Sequence, residues 1–285
     1  MGARFGRASI PAMRAAPASP PRQAAKPRSV SASASRPRTS LPLDAALLAK
    51  ASRIEQQLRE LFPNPVVPLD HRNGFELLCA VVLSAQSTDK KVNEITPALF
   101  EAAREDVAAT PHKMAGLGQA RIKDLIKQIG LCNNKAKFLS ELSKKLVEDF
   151  GGEIPATFEE LESLPGIGHK SASVLMSQLH GVAAFPVDTH IHRLAARWGL
   201  SSGKNVKVVE EDLKAIFPEE SWNDLHLQII FYGREYGQAR QKYPWPGPIC
   251  KWAGLEDPPV TTPAKKKKRK PVGKEDESKA RRRLL

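Results

Sequence analysis

Two residues eighteen positions apart in this 285-residue chain stand in settings suited to covalent chemistry, Lys170 and Asp188. Lys170 ends the run Leu164-Pro165-Gly166-Ile167-Gly168-His169-Lys170, and Asp188 lies within Pro186-Val187-Asp188-Thr189-His190. Gly166 and Gly168 flank one apolar residue, which lets the backbone turn tightly and bring bare N–H groups close to an anion before a helix starts. That is a phosphate grip. Lys170 falls in the first turn of the helix, where the positive end of the macrodipole disfavours an ammonium, and partial burial would disfavour it further. A free amine attacks carbon and forms a Schiff base. Asp188 precedes the amphipathic start Thr189-His190-Ile191-His192-Arg193 and reads as its N-cap or a near neighbour, from which a carboxylate can still face a pocket. Taken singly, each residue has a plain alternative: a solvated helix lysine, and a cap with no further role. Their combination at this spacing favours chemistry.

The elements that hold these residues read as helices. Phe158 to Leu164 and Ser171 to Leu179 both carry the 3.6-residue rhythm, which gives helix, Gly-rich hairpin, helix. Upstream, apolar residues recur on one face from Leu43 to Phe62, and Asn73 caps an almost wholly apolar segment, Phe75 to Ser84, expected to be a buried central helix. Val92 to Ala103, a short Pro111 to Ala115, Ile122 to a stop at Gly130, and Ala136 to Phe150 follow. Gly203 to Phe217 and Trp222 to Tyr236 complete the set. No stretch alternates convincingly with period two and no repeat of 20 to 50 residues is present, so the expected fold class is all-α.

Hairpin, lysine, spacing and the Val187-Asp188-Thr189-His190 context together resemble the endonuclease III family of helix-hairpin-helix DNA glycosylases and AP lyases. The resemblance extends from about Leu47 to Trp252, nearly the whole body. It implies two helical domains with a substrate cleft between them, Lys170 on one side and Asp188 on the other: a six-helix domain over 70–183, and a discontinuous one built from 44–69 plus 184–255. It makes Lys170 the nucleophile and Asp188 the catalytic carboxylate. Gly166, Ile167 and Gly168 become the DNA-binding hairpin, with His190 among the DNA-binding residues. In Leu83-Ser84-Ala85-Gln86-Ser87-Thr88-Asp89, Gln86 matches the glutamine that fills the gap left by a flipped-out nucleotide, a task suited to an amide that both donates and accepts. Leu131 matches a leucine wedged into the duplex, with Lys135 and Lys137 beside it as expected phosphate contacts. A surface glutamine and a leucine stapled back onto its own helix are the structural alternatives. Cys132 stands where an aromatic residue is usual, and His169 where relatives often carry arginine.

The implied activity is removal of oxidised pyrimidines from duplex DNA, with cleavage 3′ to the site by β-elimination, by a monomer needing no cofactor. Two alternatives remain: a relative acting on mismatched or methylated pyrimidines with the same lysine, and a noncatalytic DNA-binding protein that reuses the hairpin. Adenine-specific relatives normally lack a lysine at position 170.

Composition bounds these expectations. The formal net charge is +13, yet residues 1–43 carry +8 and residues 256–285 carry +6, leaving the body one unit negative. DNA binding by the body therefore has to rest on local basic groups and backbone amides. The arginine-, serine- and proline-rich residues 1–43, free of acidic residues, have the composition of an organellar transit peptide, or alternatively of a basic arm that touches DNA. Lys265 to Lys270 is a basic block of nuclear-localisation type, or alternatively a solvated charge run. No apolar run approaches the ~18 residues of a membrane span. Three distant cysteines, Cys79, Cys132 and Cys250, suggest no disulfide framework and a reducing compartment. Many family members hold a four-iron, four-sulfur cluster on four C-terminal cysteines. Here Gly237 takes the first ligand position and only Cys250 remains nearby, so neither a cluster nor a structural zinc is expected.

Overall fold

The computed structural model describes residues 39–237 and 239–259. The basic block and most of the expected transit segment lie outside them. Residues 39–43, counted with that segment, belong instead to the body: Ser40 N–H donates to Asp212 Oδ1 at 2.6 Å, and Leu41 packs on the core.

Helices account for nearly all the regular structure, and the hydrophobic core falls into two clusters. The first is organised on α2 (Gly74–Ser84), where every residue from Phe75 to Leu83 is buried. Asn73 caps it as expected, its side chain accepting from Glu76 N–H. α3 (Asp89–Ala102), α4 (Pro111–Leu125), α5 (Cys132–Phe150), α6 (Phe158–Glu162) and α7 (His169–His180) surround α2. Glu76 is the one carboxylate inside this layer, and it is fully bonded. It accepts from Arg72 N–H at 2.7 Å, Arg72 Nε–H at 3.0 Å and Ala109 N–H at 2.9 Å. Burial pushes its carboxyl upward, but the Arg72 and Ala109 donors outweigh that and hold it below the usual range.

Three local expectations change. Two helical stretches do meet between Pro111 and Leu125, separated by the non-helical Gly118 (φ 71°, ψ 162°), but the second ends at Leu125 and not at Gly130. α5 begins four residues earlier than its apolar rhythm suggests, from Leu131 in the left-handed region (φ 61°). A two-stranded hairpin, β1 (Arg104–Glu105) with β2 (Ala108–Ala109), interrupts the helices; pairs this short leave no alternating pattern in sequence.

The second cluster joins α1 (Ala45–Leu61) to α8 (Thr189–Arg197), α9 (Val206–Ile216) and α10 (Trp222–Glu235). Leu47, Ala51, Ile54 and Leu58 of α1 lie on one face and pack with Ile191, Leu194, Leu213 and Ile229. A core built from both ends of the body needs tertiary closure. Leu69, expected with this half, packs in the first cluster instead.

The segment after α10 is fastened to this second core. Tyr232 Oη accepts from Ile249 N–H at 3.1 Å and Cys250 N–H at 3.0 Å, at the start of α11 (Cys250–Ala253). Trp198 Nε1–H donates to Cys250 Sγ at 3.2 Å. Half-buried Trp245 and Trp252 lie under the guanidinium groups of Arg197 and Arg53, at 3.9 and 4.0 Å. Tyr243 beside them stays 48% exposed.

Candidate active site

Helix α7 carries Lys170 at its second position. Its start is made by Gly166, whose φ of 87° suits glycine and at which a Cβ would lie 2.9 Å from the Phe138 ring. Gly168 is the N-cap, with ordinary φ and open space around it. No side chain caps α7, so the first-turn amides remain available to an anion. Ile167 between them is 7% exposed, so its side chain pins the hairpin to the core and only its backbone can meet a ligand. Lys170 itself is exposed; the partial burial expected for it is absent.

Asp188 is the N-cap of α8, as its position suggests. Its Oδ1 accepts from His190 N–H at 2.8 Å and Ile191 N–H at 2.9 Å. Both cap bonds fall on one oxygen. The carboxylate can therefore hold the helix and still present its other oxygen to a ligand.

Lys170 and Asp188 line the same cleft, of about 1280 Å³, whose walls come from both clusters. Asp89 and Lys90 of α3 and Ser87 before it form part of one wall; His192 and Arg193 of α8 and Arg234 of α10 form part of the other. Arg234 reaches Asp89 at 2.5 Å, an ion pair by distance though not aligned as a hydrogen bond. It ties α10 to α3 across the cleft. His190 also lines it, and its Nδ1 accepts from Arg193 Nη2 at 3.1 Å. The ring packs closely on α10, where a Cβ at Gly233 would lie 2.6 Å from His190 Nδ1. Burial pushes both His190 and His192 below the usual histidine range.

Gln86 and Leu131 project from loops, both in the left-handed region with φ of 55° and 61°. Leu131 is 54% exposed, which removes the alternative that it staples back onto its own helix. Lys135, however, is no phosphate contact. It is 3% exposed, and its ammonium donates to the Leu83 carbonyl and to Ser87 Oγ, each at 2.8 Å. Burial pushes its ammonium below the usual lysine range. The side chain thus closes the C-terminal end of α2, where a cation meets the negative end of the macrodipole, and ties the Gln86 loop to the helix that starts at Leu131. Sequence spacing put Lys135 beside the wedge but could not say that it points inward. Lys137 remains exposed.

Residues 79–219 match the HhH-GPD superfamily base excision DNA repair protein family. Endonuclease III of Treponema pallidum is 44% identical over 186 residues, covering 65% of this chain and 86% of that protein. This chain belongs to the endonuclease III family. A solved non-covalent endonuclease III–DNA complex superposes with a TM-score of 0.68 at 37% identity, covering 73% of this chain and 95% of that one. A trapped covalent endonuclease III–DNA intermediate with an estranged adenine gives 0.64 at 38% identity, covering 68% and 89%.

The iron–sulfur cluster common among endonuclease III relatives does not fit the residues present here. Cys250 is 2% exposed with its sulfur turned to Trp198, and the Gly237 carbonyl at the first ligand position is taken by Arg193 Nε–H at 3.0 Å. Cys79 lies in the other core, where burial pushes its thiol far up. No reaction step is assigned to such a group. Sequence reasoning also did not single out His226 of α10, which is 4% exposed. Its only signal was an ionisable residue within an apolar helical run.

Proposed function

We propose that this endonuclease III family member is a bifunctional DNA glycosylase and AP lyase of base excision repair, acting as a monomer on oxidised pyrimidines in duplex DNA. The observation that carries the reading is the meeting of Lys170 and Asp188, from two different helices, on the walls of one cleft. The covalent intermediate solved for an endonuclease III supports it. In this reading the uncapped start of α7 and the hairpin amides take a backbone phosphate. Gln86 enters the space of the displaced nucleotide, and Leu131 wedges the duplex open. The two cores act as separate domains with the flipped nucleotide between them.

Asp188 takes a proton from Lys170 and stabilises the positive charge that develops on the sugar as the base departs with the bonding electron pair. The lysine nitrogen bonds to the anomeric carbon, and ring opening gives a protonated Schiff base. That iminium acidifies the adjacent sugar proton; its loss expels the 3′ phosphate and breaks the strand.

Borohydride trapping on a duplex with one thymine glycol tests this, beside a Lys170→Ala variant and duplexes with mismatched thymine or 5-methylcytosine. The expected result is a covalent adduct on thymine glycol that is lost in the variant. Tight binding with no adduct would leave a monofunctional enzyme or a bare DNA-binding protein, and an adduct only on the other duplexes would move the substrate class. Delivery to an organelle through the N-terminal segment, or to the nucleus through Lys265 to Lys270, belongs to the same proposal. Fluorescent fusions lacking one segment at a time check it.

A further inference from the structure

Helix α8 divides its residues between the second core and the cleft. Ile191, Leu194 and Ala195 are buried in the core, whereas His192, Arg193 and Ala196, with Asp188 at the cap, line the cleft. His192 N–H donates to the Asp188 carbonyl at 2.9 Å, so His192 stands one helical turn below Asp188. Side chains four positions apart share one helix face. The cleft wall therefore runs from the carboxylate straight to the imidazole, and Ala196, four positions further on, adds only a methyl group.

Other polar groups of the cleft are already committed. Arg193 gives Nε–H to the Gly237 carbonyl at 3.0 Å and Nη2 to His190 Nδ1 at 3.1 Å. Arg234 is paired with Asp89, and Ser87 Oγ accepts from the Lys135 ammonium at 2.8 Å. His192 is different: its ring is half-buried, and neither ring nitrogen has a hydrogen-bond partner among the described residues. A half-buried polar ring that bonds nothing in the resting protein is available to whatever fills the cleft. Burial also favours its neutral form, so near neutrality the ring carries one N–H donor and one bare acceptor.

Resting on the lysine chemistry proposed above, we infer that His192 is a specificity residue that reads the flipped pyrimidine through a hydrogen bond to its Watson–Crick edge. With the sugar held at Asp188 and Lys170, the base occupies the next stretch of cleft. One helical turn, about 5.4 Å, separates the carboxylate's position from that of the imidazole, on the scale of a pyrimidine ring with its exocyclic groups. A thymine-type base presents an N3–H donor between two carbonyl oxygens, and a cytosine-type base presents an N3 acceptor beside an amino group. A neutral imidazole meets either by its choice of tautomer: the bare nitrogen accepts from N3–H, or the N–H donates to N3. One residue thus serves oxidised thymines and oxidised cytosines alike. Once the base has left, His192 has nothing to read, so the β-elimination that follows proceeds without it.

That division of labour makes the test. His192→Phe keeps an aromatic ring and removes both nitrogens; His192→Gln keeps a donor and an acceptor. Each is made in the full chain and assayed under single turnover on two duplexes, one with thymine glycol, read as base release, and one with a preformed abasic site, read as borohydride-trapped adduct. Base release by His192→Phe is expected to slow at least about tenfold, the effect of losing one hydrogen bond worth about 1.4 kcal/mol. Trapping on the abasic duplex is expected to stay within about twofold of the wild type, with a near-native melting temperature, and His192→Gln is expected to recover part of the loss. Equal slowing on both duplexes, or none on thymine glycol, overturns the inference. If His192→Phe does not fold, nitrogen-15 NMR of the wild-type imidazole decides. The His192 signals on a duplex with a noncleavable 2′-fluorinated thymine glycol nucleotide are expected to differ from those on a tetrahydrofuran abasic analogue, and identical signals overturn the inference. A wild type that traps on the abasic duplex but releases only mismatched thymine moves the comparison to that base. Failure of the wild type to trap at all would instead sink the lyase reading, so the two failures are distinguishable.

Discussion

At the scale of single residues, cap and catalyst can be separated at Asp188. Asparagine caps helices about as well as aspartate, because its amide oxygen accepts the same backbone N–H bonds. Asp188→Asn is therefore expected to change stability by less than ~0.5 kcal/mol while slowing base release and trapping by at least ~10²-fold, since it removes the proton acceptor and the negative charge. Thermal melts beside single-turnover assays check it; a variant that loses stability and activity in parallel would make Asp188 a cap only. Lys135 gives the complementary case. Replacing it by methionine leaves the Leu83 carbonyl and Ser87 hydroxyl without their donor. The expected cost is ~1–3 kcal/mol, with opposite-base selectivity blurred as the Gln86 loop loosens, and a loss of DNA affinity at every salt concentration in a still stable protein would restore the phosphate role. Lys170 and Asp188 were legible in the sequence because their chemistry depends on the turn of chain each occupies. The inward direction of Lys135 was not, because it depends on α2, 52 positions away.

At the scale of elements, the hairpin and the Glu76 node carry testable energies. Gly166 needs its positive φ and has the Phe138 ring against the space of a Cβ, so Gly166→Ala is expected to cost ~1–3 kcal/mol. DNA affinity should fall with it as the amides of α7 turn away from the phosphate; fluorescence anisotropy with and without a lesion reads this, and unchanged affinity would move the phosphate site elsewhere. Glu76→Ala strips the Arg72 and Ala109 amides of their shared acceptor inside the first core. A loss of ~3 kcal/mol is expected in denaturant melts. The positions of most helices followed from their apolar rhythm and, for α2, from the cap Asn73. The end of the Gly118–Leu125 stretch and the early start of α5 did not, because a helix stop and a left-handed cap are set by what packs on either side of them.

At the scale of the molecule, buried neutral histidines make stability depend on pH. The unfolded chain binds a proton at His226 near the ordinary value of 6.5, whereas the folded protein binds it only near 4. Between those values protons favour the unfolded state, so stability falls as pH drops through this window, by on the order of 3 kcal/mol from His226 alone. His190 and His192, also pushed down, add to the same sign. Calorimetric melts from pH 7 to pH 4 should show the decline, and His226→Gln should flatten it; a parallel decline in the variant would assign the slope to other groups.

The sequence by itself determined the helical class, the hairpin, the chemical pair Lys170 and Asp188, and the departure from four cluster cysteines, because each is written in residues close along the chain. The tertiary structure alone decided which side chains face the cleft. It brought Lys170 of α7 and Asp188 at the start of α8 to one wall system, turned Lys135 inward, paired His190 with Arg193, and buried His226 in α10. A side chain's direction depends on partners from distant helices, which no local periodicity encodes.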